Sequence, residues 1–164
     1  METVLNWGAI WATAGAVIAA LLAGIGSAIG VGITGQASAG VVSENPDLSG
    51  KCLLLQLLPG TQGIYGLLIA VVIALQSGLM SGDVARLAAD TTIGVRYLIA
   101  GLPIAFGGLI SAIYQGKVAV AGINMVAKKP TESGKGMVMA IMVETYAVLA
   151  LLISFLLVFG IKVA

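Results

Sequence analysis

Four long apolar runs separated by three short polar stretches set the pattern of this chain. They cover about 9–41, 52–80, 91–127 and 136–161, and each exceeds the ~20 residues a helix needs to cross a ~30 Å hydrocarbon layer. The first and third are long enough to tilt or protrude. The breaks carry turn-forming residues. Ser43–Lys51 holds Pro46 and Gly50, the second break runs from Ser81 to Asp90, and Lys128–Lys135 holds Pro130 and Gly134. Short connections make consecutive helices antiparallel neighbours. The fold class is therefore an all-α membrane protein of four transmembrane helices in two hairpins, residues 1–80 and 91–164, joined by a loop at 81–90.

The hairpins repeat each other. A gapless shift of about 84 residues places Ser27-Ala28-Ile29 on Ser111-Ala112-Ile113 and Gly32 on Gly116. It also places Pro46 on Pro130, Ser49-Gly50-Lys51 on Ser133-Gly134-Lys135, and Leu67-Leu68-Ile69 on Leu151-Leu152-Ile153. Apolar segments match by chance, but the aligned Pro and Ser-Gly-Lys lie in the loops. A duplication of two-helix units is parallel, so the Pro46 and Pro130 turns belong on one side.

Composition agrees with a lipid solvent. Only 9% of the 164 residues are charged and 59% are apolar, against about a quarter charged in soluble domains. There is no histidine, which excludes imidazole catalysis and His metal sites, and the single Cys52 excludes an internal disulfide. A net charge of +1 without a basic patch gives no nucleic-acid footprint. The N-terminus has Glu2 and no Lys or Arg before Lys51, so the first run reads as a retained helix rather than a cleaved leader. Lys51, Lys128, Lys129 and Lys135 gather at the two proline turns, while Arg86, Arg96 and Lys162 lie toward the other side. That bias predicts cytoplasmic loops at 43–51 and 128–135, with both termini outside the cell membrane.

One carboxylate interrupts the fourth run: Glu144, in Met142-Val143-Glu144-Thr145-Tyr146. An acid at that depth costs several kcal/mol unless paired or protonated, which makes it a functional candidate. Under the repeat it lies opposite Gly60, inside Leu58-Pro59-Gly60-Thr61-Gln62-Gly63. Pro59 breaks the helical ladder, which can free a backbone oxygen such as that of Leu58. Thr61 and Gln62 offer a hydroxyl and an amide in the same turn, and Gln115 offers an amide from the third run. Counted from their turns, these positions lie at one level, ~20 Å in. Every candidate ligand is an oxygen, the set preferred by hard cations. One negative charge matches a monovalent ion, and Na⁺ uses this ligand count better than a bare proton. Tyr65, one turn on, is placed to donate its hydroxyl to Glu144. The alternative for Thr61, Gln62 and Gln115 is interhelical hydrogen bonding without an ion.

Three further features stand beside these. Gly24, Gly26, Gly30, Gly32 and Gly35 allow close backbone approach; a dinucleotide reading fails for want of a strand–turn–helix context. Lys117, two residues from Gln115, points about 200° away around its helix, so it reads as a lumen or interface charge rather than a ligand. Arg86 and Arg96 read as interfacial and snorkelling.

The block Leu55-Gln56-Leu57-Leu58-Pro59-Gly60-Thr61-Gln62-Gly63-Ile64-Tyr65-Gly66, with Pro103-Ile104-Ala105-Phe106, Gln115-Gly116-Lys117-Val118-Ala119 and Met142-Val143-Glu144-Thr145-Tyr146-Ala147, resembles the bacterial V-type ATPase K subunits. These are rotor-ring proteolipids of Na⁺-translocating enzymes. The likeness spans nearly the whole chain. It implies a closed ring of identical copies with the first and third helices inside, and a Na⁺ site of Leu58 (carbonyl), Thr61, Gln62, Gln115 and Glu144, with Tyr65 as carboxylate partner. It also implies a stator membrane subunit that supplies an arginine and a central stalk at the cytoplasmic turns. No phosphate-binding loop is present, so ATP hydrolysis belongs to other subunits. Competing readings are the same ring carrying H⁺, a four-helix proton-coupled drug antiporter, disfavoured by 5% aromatic content, and a gap-junction-like channel that leaves Glu144 idle.

Overall fold

The computed structural model describes residues 6–161; Glu2 and Lys162, used above to read the N-terminus and the orientation, lie outside the described residues. The chain is all helical. The elements are α1 (Trp7–Glu44), α2 (Ser49–Leu57), α3 (Thr61–Gln76), α4 (Ala85–Ala89), α5 (Thr91–Lys128) and α6 (Ser133–Gly160). Single 3₁₀ turns at Pro46–Leu48, Leu58–Gly60 and Pro130–Glu132 precede α2, α3 and α6. Each starts at or beside a proline, which has no N–H to donate and is tolerated where a helix begins. Four spans result: Trp7–Glu44, Pro46–Gln76, Thr91–Lys128 and Pro130–Gly160, all long and apolar enough to cross a membrane. At 38 residues each, the first and third are roughly 57 Å long and overshoot the hydrocarbon layer, as their apolar lengths predict.

Side chains cap the two long helices. Asn6 accepts from the Ala9 N–H at 3.0 Å, and the Asp90 carboxylate accepts from both the N–H and the hydroxyl of Thr92. Each satisfies an orphan amide of a first helical turn.

The second span ends earlier than the apolar run predicts. Helix α3 stops at Gln76 and a turn follows through residues 77–82. Gly78 sits at φ +80°, and a Cβ there would meet the Asp83 carbonyl oxygen at 2.1 Å. Only glycine fits that position. Met80 belongs to this turn, and the 81–90 connection contains the short helix α4.

Helices α1 and α5 form the central pair, joined backbone to backbone through glycine. A Cβ on Gly94 would lie 2.7 Å from the Gly8 Cα, one on Gly101 2.6 Å from the Gly15 carbonyl oxygen, and one on Gly116 2.8 Å from the Gly30 Cα. Close approach of this kind is how helices associate where lipid removes the hydrophobic drive. Of the five glycines noted in the first run, Gly26 and Gly30 meet α5 and Gly35 meets Gln56. A Cβ on Gly24 or Gly32 would meet nothing within 4 Å in the isolated subunit, while one on Gly63 would lie 3.6 Å from the Gly24 Cα. Pro103 lies inside α5, and the next amide, Ile104 N–H, donates to the buried Ser154 hydroxyl of α6.

The two proline turns share one end of the molecule, as the repeat requires, and Lys51 Nζ donates to the Pro130 carbonyl at 2.9 Å. At the opposite end Asn6 Nδ2 donates to the Val84 carbonyl. Large apolar side chains face outward along both outer helices, among them Ile64, Leu67 and Val71 of α3 and Met142, Leu149 and Leu156 of α6. Patches this continuous mark a surface that meets lipid or another protein.

Candidate ion-binding site

The proline in the second span shapes the site. At Leu58–Gly60 the helix tightens, and the Leu58 carbonyl accepts the Thr61 N–H. The break also leaves the Gly63 N–H to the Ser27 hydroxyl of α1, which accepts it at 2.7 Å. Pro59 itself packs where α1 carries Gly30, whose added Cβ would lie 2.6 Å from Pro59 Cβ. The small residue on α1 thus admits the break, and the break turns Thr61 and Gln62 toward the other hairpin.

Glu144 receives them from α6. Its Oε1 accepts from Tyr65 Oη at 2.7 Å and Thr61 Oγ1 at 2.8 Å. Its Oε2 accepts from Gln115 Nε2 at 3.3 Å. Gln115 Oε1 in turn accepts from Gln62 Nε2, and both glutamines are fully buried. The chain of contacts closes through Ser111. Its Oγ lies 3.5 Å from Gln62 Nε2 and donates to the Val143 carbonyl at 2.9 Å. Thr61, Gln62, Tyr65, Gln115 and Glu144 therefore meet in one cluster from α3, α5 and α6. The Leu58 carbonyl stands at its edge, 3.0 Å from the Thr61 hydroxyl.

Sequence reasoning alone misses Ser27 and Ser111 as site residues. The signal is present: the repeat aligns them, and Ser111 sits one turn before Gln115. The two serines have taken different tasks. Ser27 holds the broken backbone of α3, while Ser111 holds the intact backbone of α6 beside the acid. Lys117 is outside the cluster, exposed, with Nζ 4.7 Å from the centre of the Tyr114 ring.

The donor balance limits what the cluster can do. The Thr61 hydroxyl has one proton and two close acceptors, Glu144 Oε1 and the Leu58 carbonyl. Gln62 Oε1 has the same hydroxyl 3.4 Å away, and a carbonyl has two lone pairs. Oxygens of Leu58, Thr61 and Gln62 thus retain acceptor capacity around one carboxylate. No group of three or more His, Cys, Asp or Glu that could hold a metal occurs among the described residues. Neutral oxygens around a single carboxylate suit a weakly charged hard cation. Glu144 is half-buried, and beside it lies a shallow hollow lined by Ile141, Thr145, Val148 and Leu149.

A protein-family model for the ATP synthase C subunit matches the chain twice, over residues 14–73 and 98–157. The chain belongs to this ATP synthase family. The two matched copies are offset by 84 residues, the shift that the loop residues gave. The chain is 48% identical over 155 residues to the V-type sodium ATPase subunit K of Enterococcus hirae, covering 93% of each. It is 41% identical over 147 residues to the A-type ATP synthase subunit K of Methanocaldococcus jannaschii, covering 90% of this chain and 61% of that one. It is 29% identical over 115 residues to the V-type proton ATPase 16 kDa proteolipid subunit of Chrysotila carterae, covering 70% and 69%. Like other members of the family, it is a non-catalytic, multi-pass membrane subunit of a rotary ATPase that works in a ring.

Proposed function

We propose that the ring carries Na⁺ across the membrane, one ion per copy, held by Glu144, Thr61, Gln62, Gln115 and the Leu58 carbonyl. Tyr65 donates to the carboxylate and fixes its orientation. One observation carries the reading: hydroxyl and amide groups from α3 and α5 close on a single carboxylate of α6. The 48%-identical relative is named as a sodium ATPase subunit, which supports the choice of ion.

Charge supplies the mechanism. With Na⁺ the site is neutral and faces an apolar surface at little cost. Without it a carboxylate remains, at about 3 kcal/mol or more at membrane depth. An empty site therefore stays beside a positive group of a stator subunit, an arginine by the family resemblance, and a filled one turns away through lipid. Occupancy is thereby coupled to rotation. The Pro46 and Pro130 turns, with Lys51, Lys128, Lys129 and Lys135, take the cytoplasmic side and the central stalk. Both termini face outside.

Carbodiimide labelling of Glu144 in the purified ring tests this. Na⁺ at millimolar levels should slow labelling, Li⁺ less so and K⁺ hardly at all, with the strongest protection at high pH where protons compete least. A proton-carrying ring is the second reading, favoured by the direct hydrogen bonds from Tyr65 and Thr61 to Glu144 and by the proton ATPase relative. It requires labelling indifferent to Na⁺ at fixed pH.

A further inference from the structure

A second polar site lies at the opposite end from the proline turns. A cavity of about 200 Å³ opens between the end of α3, the 77–84 turn, α4 and the first turns of α5, and its walls include Ser77, Ser81, Asp83, Arg86 and Tyr97. Tyr97 is fully buried, and its hydroxyl has no hydrogen-bond partner among the described residues. Buried hydroxyls are almost always satisfied, so this one calls for a partner from outside the chain. Arg86 makes no ion pair among the described residues, and the Ser77 hydroxyl reaches only the Ala74 carbonyl at 3.5 Å. The wall thus offers the Arg86 guanidinium and the hydroxyls of Tyr97 and Ser77 as donors, beside the Gln76 amide, the Ser81 hydroxyl and the Asp83 carboxylate. A ligand rich in acceptor oxygens engages the guanidinium and both of these hydroxyls at once.

Position narrows the ligand further. The backbone of Leu87 in α4 packs on Gly8, beside the exposed Trp7 and Trp11. Tryptophans exposed near the end of a membrane span mark the headgroup level. We propose that this cavity binds a phosphate oxyanion, with Arg86 as its charge partner and Tyr97 and Ser77 as hydroxyl donors. The source is the phosphodiester of a membrane lipid or free inorganic phosphate. Asp83, on the same wall, weakens the site and sets its affinity.

The test uses the intact purified ring. In one arm it is exchanged into detergent containing phosphatidylglycerol or phosphatidylcholine, and bound lipid per copy is read by native mass spectrometry. In the other, lipid is removed and inorganic phosphate is titrated by ³¹P line broadening. The expected result is at least five-fold less bound phosphorus in Arg86→Gln and Tyr97→Phe, and several-fold more in Asp83→Asn, the variant that cannot score by misfolding. Retention in the lipid arm alone assigns a headgroup, and binding in the phosphate arm assigns the free ion. Unchanged binding in Arg86→Gln and Tyr97→Phe, or an equal loss in Arg96→Gln, which lies outside the cavity, overturns the proposal.

Discussion

At the residue scale, the site is a set of replaceable contacts around one irreplaceable charge. Thr61→Ala and Gln62→Ala each remove one neutral oxygen from the cage. A lost contact to a charged group is worth about 1–3 kcal/mol, so Na⁺ affinity should fall roughly ten- to hundred-fold, while the apparent proton affinity of Glu144 moves less. Na⁺ protection against carbodiimide measures both; Na⁺ dependence unchanged in both variants would remove these residues from the ligand set. Ser111→Ala is the subtler case. It unties Gln62 from the Val143 backbone, and at about 1 kcal/mol for an ordinary hydrogen bond the loss in Na⁺ affinity should be near five-fold. That Glu144, Gln115, Thr61 and Gln62 meet at one level was legible in the sequence, because a polar group inside an apolar run has few explanations. The tasks of Ser27 and Ser111 were not, because a lone serine is compatible with many helix faces and only the relative rotation of α1, α3 and α5 decides which backbone it meets.

At the element scale, number and order of spans followed from hydropathy, and the repeat gave the common side of the proline turns. What stayed hidden was where backbone geometry rules. The end of α3 at Gln76 depends on the left-handed Gly78 and its contact with Asp83, a tertiary event that an apolar Leu79-Met80 conceals. Likewise, nothing local tells Gly30, pressed between α5 and Pro59, from Gly32 in open space. Gly30→Val should therefore cost about 1–3 kcal/mol by overpacking, seen as a lower temperature of ring dissociation, and Gly32→Ala should cost the isolated subunit little. The α5 cap makes a pH prediction. Its hydrogen bonds to Thr92 hold the Asp90 carboxyl below its ordinary value. A depressed folded value means that the cap stabilises above the unfolded pKa and is lost as pH falls through the folded one. A ¹³C titration should place Asp90 below an unperturbed aspartate, and Thr92→Val, which removes the hydroxyl donor, should raise it.

At the scale of the whole molecule, the subunit is two versions of one hairpin, of which only the second carries an acid in mid-span. Glu144→Gln should leave ring assembly intact, since the cost of the charge disappears with it, and should abolish transport. Mass measurement of the detergent-extracted ring together with ²²Na⁺ uptake separates assembly from transport. A stable ring that still moves Na⁺ would overturn the carrier assignment.

The glycine seam between α1 and α5 also dictates how copies meet. Because α5 repeats α1 at a spacing of 84 residues, whatever α5 does to α1 within one chain, the α1 of the next chain should do to α5. Carrying the contacts Gly15–Gly101 and Gly30–Gly116 forward by one repeat pairs Ile99 with Val17 and Tyr114 with Gly32 of the adjoining copy, four positions left outward-facing in the isolated subunit. Cysteines at 32 and 114 should oxidise into a ladder of linked chains. The bare flank of Gly32 is then a socket awaiting its neighbour, and a head-to-tail contact that already operates inside each chain propagates until the circle shuts.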